Sequence, residues 1–188
     1  FDQVDKINRF IDQYQCDIKL RLDFNGAYDL PRAIRICKMM QDFPIDYIEQ
    51  PLSKSSYEDM YELSLHTEIP IAVDEMATNI NSIHKILDFD CADVFVLKPM
   101  LIGGVNKVHE LVKLIKLNNK RAIISSLLES NVGRLMYLQM SSAFEIKDYN
   151  GVATNHYFQS DLCKFPSSKE GCIKLGVKGG IGVDDINL

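Results

Sequence analysis

The sequence predicts an α/β fold, a partial (β/α)8 barrel of the TIM type with about six βα units, and three observations carry that reading. Amphipathic helical stretches alternate with short apolar runs through the first 158 residues. The apolar runs lack the polar-apolar alternation of a half-solvated strand, as expected when helices cover one face of a parallel sheet and a barrel interior the other. A polar residue stands where each run stops, at Asp23, Glu49, Asp74, Lys98, Glu129 and Thr154, with separations of 26, 25, 24, 31 and 25 residues. A (β/α)8 barrel carries its catalytic groups at such C-terminal strand ends, whereas a doubly wound sheet seldom places an ionisable residue at every one.

The elements follow in order. Val4, Ile7, Phe10, Ile11 and Tyr14 keep helical spacing, and Ile18 to Asp23 then reads as a strand closed by the Asn25-Gly26 turn. A helix through Ala33, Ile34, Cys37 and Met40 leads to a strand from Asp46 to Glu49. A helix through Tyr57, Met60 and Tyr61 leads to a strand from Ile69 to Asp74. A helix through Ile80, Ile83, Ile86 and Leu87 precedes the strand Asp93 to Lys98, and one through Val105, Val108, Leu111, Val112 and Ile115 precedes the strand Arg121 to Leu128. A helix from Arg134 to Ser142 and a short sixth strand at Gly151 to Thr154 complete the repeat. From Gln159 onward, Pro166 and the glycines 171, 176, 179, 180 and 182 predict loops and short extended pieces. The expected division is therefore a barrel portion, 1–158, and a C-terminal tail, 159–188.

Composition narrows the function classes. Of the 188 residues 46% are hydrophobic and 25% charged, which is globular composition, and the net charge of −5 argues against a dedicated nucleic-acid or anionic-membrane binder. The longest apolar stretches, such as Ala122 to Leu128, fall far short of the roughly 20 residues that span a bilayer. Five widely spaced cysteines with no Cys-x-x-Cys pair predict neither a disulfide framework nor a zinc site, and fit a reducing cytoplasm. The expected partner is a small molecule. A complete barrel needs eight strands and roughly 250 residues. Since the sequence opens at Phe1 on a helix, the two missing units are expected on the N-terminal side of a longer polypeptide.

Asp23, Glu49 and Asp74 end three successive strands, so a barrel would converge their carboxylates above the core. Three hard oxygen donors suit Mg2+, with Mn2+ as an alternative. Taken singly, each acid could instead cap the following helix or remain solvated. Lys98 lies in Leu97-Lys98-Pro99, where proline stops the strand. Its ammonium would serve as acid, base or stabiliser of an enolate, the alternative being a salt bridge to Asp74.

Five motifs occur in order: Leu20-Arg21-Leu22-Asp23-Phe24-Asn25-Gly26, Ile48-Glu49-Gln50-Pro51, Ala72-Val73-Asp74-Glu75, Leu97-Lys98-Pro99 with Gly103-Gly104, and Ser125-Ser126-Leu127-Leu128-Glu129-Ser130. Together they resemble the barrel domain of the enolase superfamily, muconate-lactonizing subgroup, and within it most of all the o-succinylbenzoate synthases of menaquinone biosynthesis. The resemblance implies that Asp23, Glu49 and Asp74 ligate Mg2+, with Asn25 and Glu75 as their hydrogen-bonding neighbours. It implies that Lys98 lies on one face of the substrate and stabilises an enediolate by a cation-π contact. It also places Arg21, Ser126 and Gly104 against a carboxylate substrate. For Ser126 a hydroxyl bonded to backbone at the edge of the core is an equal alternative, and for Gly103 and Gly104 a helix-starting turn.

The implied reaction is Mg2+-dependent syn dehydration of 2-succinyl-6-hydroxy-2,4-cyclohexadiene-1-carboxylate to o-succinylbenzoate, a hydro-lyase activity. Members carry a Lys-x-Lys pair on the second barrel strand whose second lysine takes the α-proton. Lys19-Leu20-Arg21 imitates that pair but shares a strand with Asp23, so the base and the capping domain are expected outside this sequence, which alone would be inactive. The closing Gly180-Ile181-Gly182-Val183 resembles the segment that packs toward that cap. One rival is a racemase or epimerase of N-acylamino acids or dipeptides. Dipeptide epimerases show Asp-x-Asp where Gly151-Val152-Ala153-Thr154 stands here, which disfavours them. Rivals of other classes are a Schiff-base aldolase barrel using Lys98 and a barrel fragment that only binds. A homo-oligomer is compatible with this reading.

Overall fold

The computed structural model describes residues 2–53, 56–154, 159–176 and 179–183. Five strands form one sheet in the order β1 (Leu20–Asp23), β2 (Ile45–Glu49), β3 (Ile71–Val73), β4 (Val94–Leu97) and β5 (Arg121–Ile124). The pairings from β1 through β4 are parallel, and a helix lies between successive strands. This is the partial (β/α)8 architecture expected from the alternation. The chain divides into two compact units, 1–95 and 96–188, with the boundary inside β4.

In the first unit, α1 (Asp2–Tyr14) precedes β1, α2 (Leu30–Met40) precedes β2, α3 (Tyr57–Ser64) precedes β3 and α4 (Ile80–Phe89) precedes β4. Three of these helices start on side-chain caps that satisfy amide groups with no partner inside the helix. The Asp29 carboxylate accepts from the Arg32 N–H, the Ser56 hydroxyl from the Asp59 N–H, and Asn79 forms a reciprocal capping box with Ser82. Of the residues the spacing marked, Ala33, Cys37 and Met40 on α2, Met60 on α3, and Ile83 and Ile86 on α4 are buried, whereas Tyr61 and Ile80 are exposed; Leu63, which the spacing did not mark, completes the buried face of α3. Ile48, Ala72 and Val73 on the strands are fully enclosed.

Four of the five strands are shorter than their expected runs, for local reasons, while β2 begins one residue earlier, at Ile45. Pro70 has no N–H to give the ladder, so the strand expected from Ile69 begins at Ile71. It ends at Val73 because the Asp74 N–H donates to the side chain of Gln50 instead of to a neighbouring strand. The first strand is registered only from Leu20, where Leu20 N–H donates to Pro44 O.

The Asn25-Gly26 turn closes β1 with both residues at positive φ, 44° and 70°. The Gly26 N–H donates to Gln50 O at 2.7 Å. A Cβ at Gly26 would lie 3.2 Å from Ser53 Cα and 3.3 Å from Leu52 O, both backbone atoms. Gly26→Ala should therefore cost about 1 to 3 kcal/mol of stability, read as a lower urea midpoint with an unchanged slope.

In the second unit, α5 (Pro99–Ile102) is a single turn that the periodicity did not predict, followed by α6 (Val105–Leu117), β5 and α7 (Asn131–Ala143). α6 buries Val108, Leu111, Val112 and Ile115, four of the five residues that predicted it. The strand expected to reach Leu128 stops at Ile124, and Leu128 is exposed. Of the expected sixth strand the described residues hold one parallel bridge, Ser125 to Gly151, with Gly151 N–H donating to Ile124 O and Ser126 N–H to Gly151 O. The tail shows an antiparallel bridge between Lys169 and Cys172 and, among its described residues, no helix or longer strand.

Arg134 anchors that tail. It is fully buried, donates from Nε to Val152 O at 2.7 Å and from Nη1 to Asn131 Oδ1 at 2.6 Å, and lies 3.7 Å from the centre of the Phe165 ring. Asn131 extends the net, its N–H donating to Asp161 Oδ1 and its Nδ2 to Cys163 O. Burial pulls the Arg134 guanidinium below its usual range, and the negative charges of Asp161 and Glu129 oppose that shift.

Candidate metal and substrate site

The acids of the first unit gather at one end of its sheet. Asp23, the last residue of β1, is the register partner of Glu49, the last residue of β2. Glu49 is in turn the partner of Ala72, and Asp74 follows two residues later, directly past the end of β3. Side chains two apart on a strand share a face, so parallel register alone brings these acids to neighbouring strand ends. Asp23 is exposed and Asp74 is only 7% exposed.

Asn25 ties Asp23 to Glu75. Its backbone N–H donates to Asp23 Oδ1 at 2.9 Å, its Nδ2 to Asp23 Oδ2 at 2.7 Å, and the same Nδ2 reaches Glu75 Oε1 at 3.4 Å. Glu75 Oε2 is buried with no hydrogen-bond partner among the described residues. Among those residues no group of three or more His, Cys, Asp or Glu side chains lies close enough to hold a metal ion as the side chains stand. The chemistry of the donor set is nevertheless that of a hard divalent cation site: Asp23, Glu49 and Asp74 offer only carboxylate oxygens, they come from three adjacent strand ends, and beside them lies Glu75 Oε2, buried and without a partner among the described residues.

Sequence reasoning passed over Gln50 as motif filler. It is wholly buried, and its Oε1 accepts from the Asp74 and Met76 N–H groups, each at 3.2 Å, while its Nε2 donates to Leu52 O at 2.9 Å. The one signal for it was its place, a polar residue between a strand-end acid and a proline. Arg21 sits two residues before Asp23, with its Nε donating to Asp46 Oδ2 at 2.9 Å and its guanidinium 4.8 Å from the centre of the Tyr47 ring.

In the second unit, Lys98 directly follows β4, is half-buried and occupies the N-cap position of α5. Gly103 ends α5 in the left-handed region at φ 87°, and Gly104 precedes α6 at φ 123°. The helix-starting turn is thus present, and Gly104 has no atom within 4 Å of where a Cβ would stand. The Ser126 hydroxyl donates to Gly151 O at 3.1 Å and lies 3.2 Å from Thr154 Oγ1, the backbone-bonded arrangement weighed for it above. Glu129 is 5% exposed, accepts from the Tyr137 hydroxyl at 2.7 Å, and leaves Oε2 without a partner among the described residues. Burial, and then the bond to Glu129, push the Tyr137 phenol above its usual range.

The family model described as enolase C-terminal domain-like matches residues 2–185. The chain belongs to this family. The o-succinylbenzoate synthase of Thermobifida fusca is 30% identical over 149 residues, 79% of this chain and 45% of that protein. The L-amino acid-D/L-Glu epimerase of Sulfurimonas denitrificans is 27% identical over 130 residues, 69% of this chain and 38% of that protein. The fold matches the crystal structure of muconate cycloisomerase from Pseudomonas fluorescens with a TM-score of 0.87 at 20% identity, over 97% of this chain and 50% of that one. The chain thus spans about half the length of the curated relatives it matches. These relatives are enolase-superfamily enzymes of more than one reaction, and among the described residues no helix is long and apolar enough to cross a membrane.

Proposed function

We propose that this chain is the barrel portion of a Mg2+-dependent hydro-lyase that dehydrates 2-succinyl-6-hydroxy-2,4-cyclohexadiene-1-carboxylate to o-succinylbenzoate. The observation that carries the reading is the register of Asp23 with Glu49 and the position of Asp74 past the next strand, in a chain similar to an o-succinylbenzoate synthase. Asp23, Glu49 and Asp74 would hold the cation. Mg2+ bound there supplies positive charge where the substrate carboxylate becomes more negative as its α-proton leaves. Asn25 orients the Asp23 carboxylate through two hydrogen bonds and links it to Glu75, while the side chains of the three acids would have to draw together to share one cation.

Lys98 is assigned to the substrate rather than to the metal. Its backbone is placed between β4 and Pro99, and its ammonium would stabilise the developing negative charge on the ring. Arg21, Ser126 and Gly104 are assigned to substrate contact. No residue of this chain is assigned as the general base. A second reading, racemisation or epimerisation of an amino-acid derivative on the same acids, is favoured by the similarity to an L-amino acid-D/L-Glu epimerase.

The test is turnover of the full-length protein, purified free of metal and then supplied with Mg2+. The expected result is o-succinylbenzoate formed only with Mg2+, and no exchange of the α-proton of N-succinylamino acids or dipeptides with solvent deuterium. Exchange without dehydration would replace this reading with the second.

A further inference from the structure

Gln50 stands at the centre of the acid-bearing strand ends and touches them through every polar group it has. Its backbone N–H donates to Ala72 O at 2.8 Å, and its carbonyl accepts from the Gly26 N–H at 2.7 Å. Its side-chain oxygen accepts from the N–H groups of Asp74 and Met76, and its side-chain nitrogen donates to Leu52 O. The residue is 0% exposed and holds φ at 37°, in the left-handed region that non-glycine residues rarely adopt. A buried amide bonded at both its oxygen and its nitrogen in a strained backbone persists only where its surroundings over-determine it.

We propose that Gln50 is the positioning residue that sets the spacing of the metal-binding acids. One end of it fixes the turn that follows Asp23, the other fixes the backbone of Asp74 itself, and Glu49 is its immediate neighbour in the chain. Without the side-chain oxygen, two buried N–H groups at the end of β3 lose their acceptor, and the loop carrying Asp74 is free to depart from the position that register gives it. This inference rests on the metal reading of the preceding subsection.

Two substitutions separate positioning from plain stability. Gln50→Met keeps the shape and removes the strong acceptor and the donor; Gln50→Glu keeps an acceptor for the Asp74 and Met76 N–H groups, loses the amide donor to Leu52 O and adds a carboxylate beside the acids. Both lower the melting temperature. Magnesium affinity, titrated calorimetrically in metal-free full-length protein, should fall about 10- to 100-fold in Gln50→Met, the range for partners that orient metal ligands, and should not fall in Gln50→Glu, whose added charge attracts the cation. Amide exchange in the metal-free protein should show Asp74 and Met76 deprotected in Gln50→Met and protected in Gln50→Glu. If Gln50→Met does not fold, Gln50→Glu decides: retained affinity with both amides protected supports the role, and retained affinity with both amides deprotected overturns it. Parent-like affinity in folded Gln50→Met also overturns it while leaving the metal reading standing. A parent protein that takes up no Mg2+ overturns both.

Discussion

Lys98→Ala in the full-length protein should lower dehydration turnover by about 10²- to 10⁴-fold, the usual loss when a positioned group that handles charge or a proton at the reacting centre is removed. Magnesium affinity should not change, because Lys98 follows β4 and is assigned to the substrate, while the acids assigned to the metal end β1 and β2 and follow β3. The two readouts together give the prediction its force. Loss of turnover with loss of metal would move Lys98 to the metal edge. Undiminished turnover would remove it from the mechanism, and trapping of a carbonyl substrate on it by borohydride would make it a nucleophile.

Much of this architecture was legible before any coordinates. Helix periods came through wherever one face is buried continuously, as in α6 with Val108, Leu111, Val112 and Ile115. The strand-end polar residues were legible because they recur once per βα unit where an apolar run stops, although Arg21 and Asp46 put charges inside β1 and β2. Asn25-Gly26 announced its turn because both residues tolerate the positive φ that they adopt.

What stayed hidden depends on tertiary partners. Apolar runs overstated strand length: Ile69, Leu127 and Leu128 are as apolar as their neighbours, yet the ladder stops where Pro70 lacks a donor and where Gln50 claims the Asp74 amide. The single turn of α5 is too short to show a period. The burial of Gln50 and Arg134 was not legible, since no local pattern signals a buried amide or guanidinium. Each is held by distant as well as local partners, the N–H groups of Asp74 and Met76 with Leu52 O for Gln50, and Val152 O with Asn131 Oδ1 for Arg134.

The largest effect expected of any substitution is that of Asp74→Asn on metal binding. Asp74 is nearly buried, so a carboxylate there has few waters to compete with a cation, and replacing one of three hard anionic donors by a neutral amide removes a full charge from the site. Glu129→Gln is the matched control, a buried acid bonded to Tyr137 and outside the proposed metal set. In the parent, Mg2+ at 100 times its dissociation constant should add about 2.7 kcal/mol to stability by mass action.

The measurement that tests the central claim most directly is a calorimetric titration of metal-free full-length protein with Mg2+, beside Asp74→Asn and Glu129→Gln. The account predicts one Mg2+ per chain in the parent and in Glu129→Gln, and no measurable binding in Asp74→Asn. Equal binding in the parent and Asp74→Asn, or none in the parent, would contradict it.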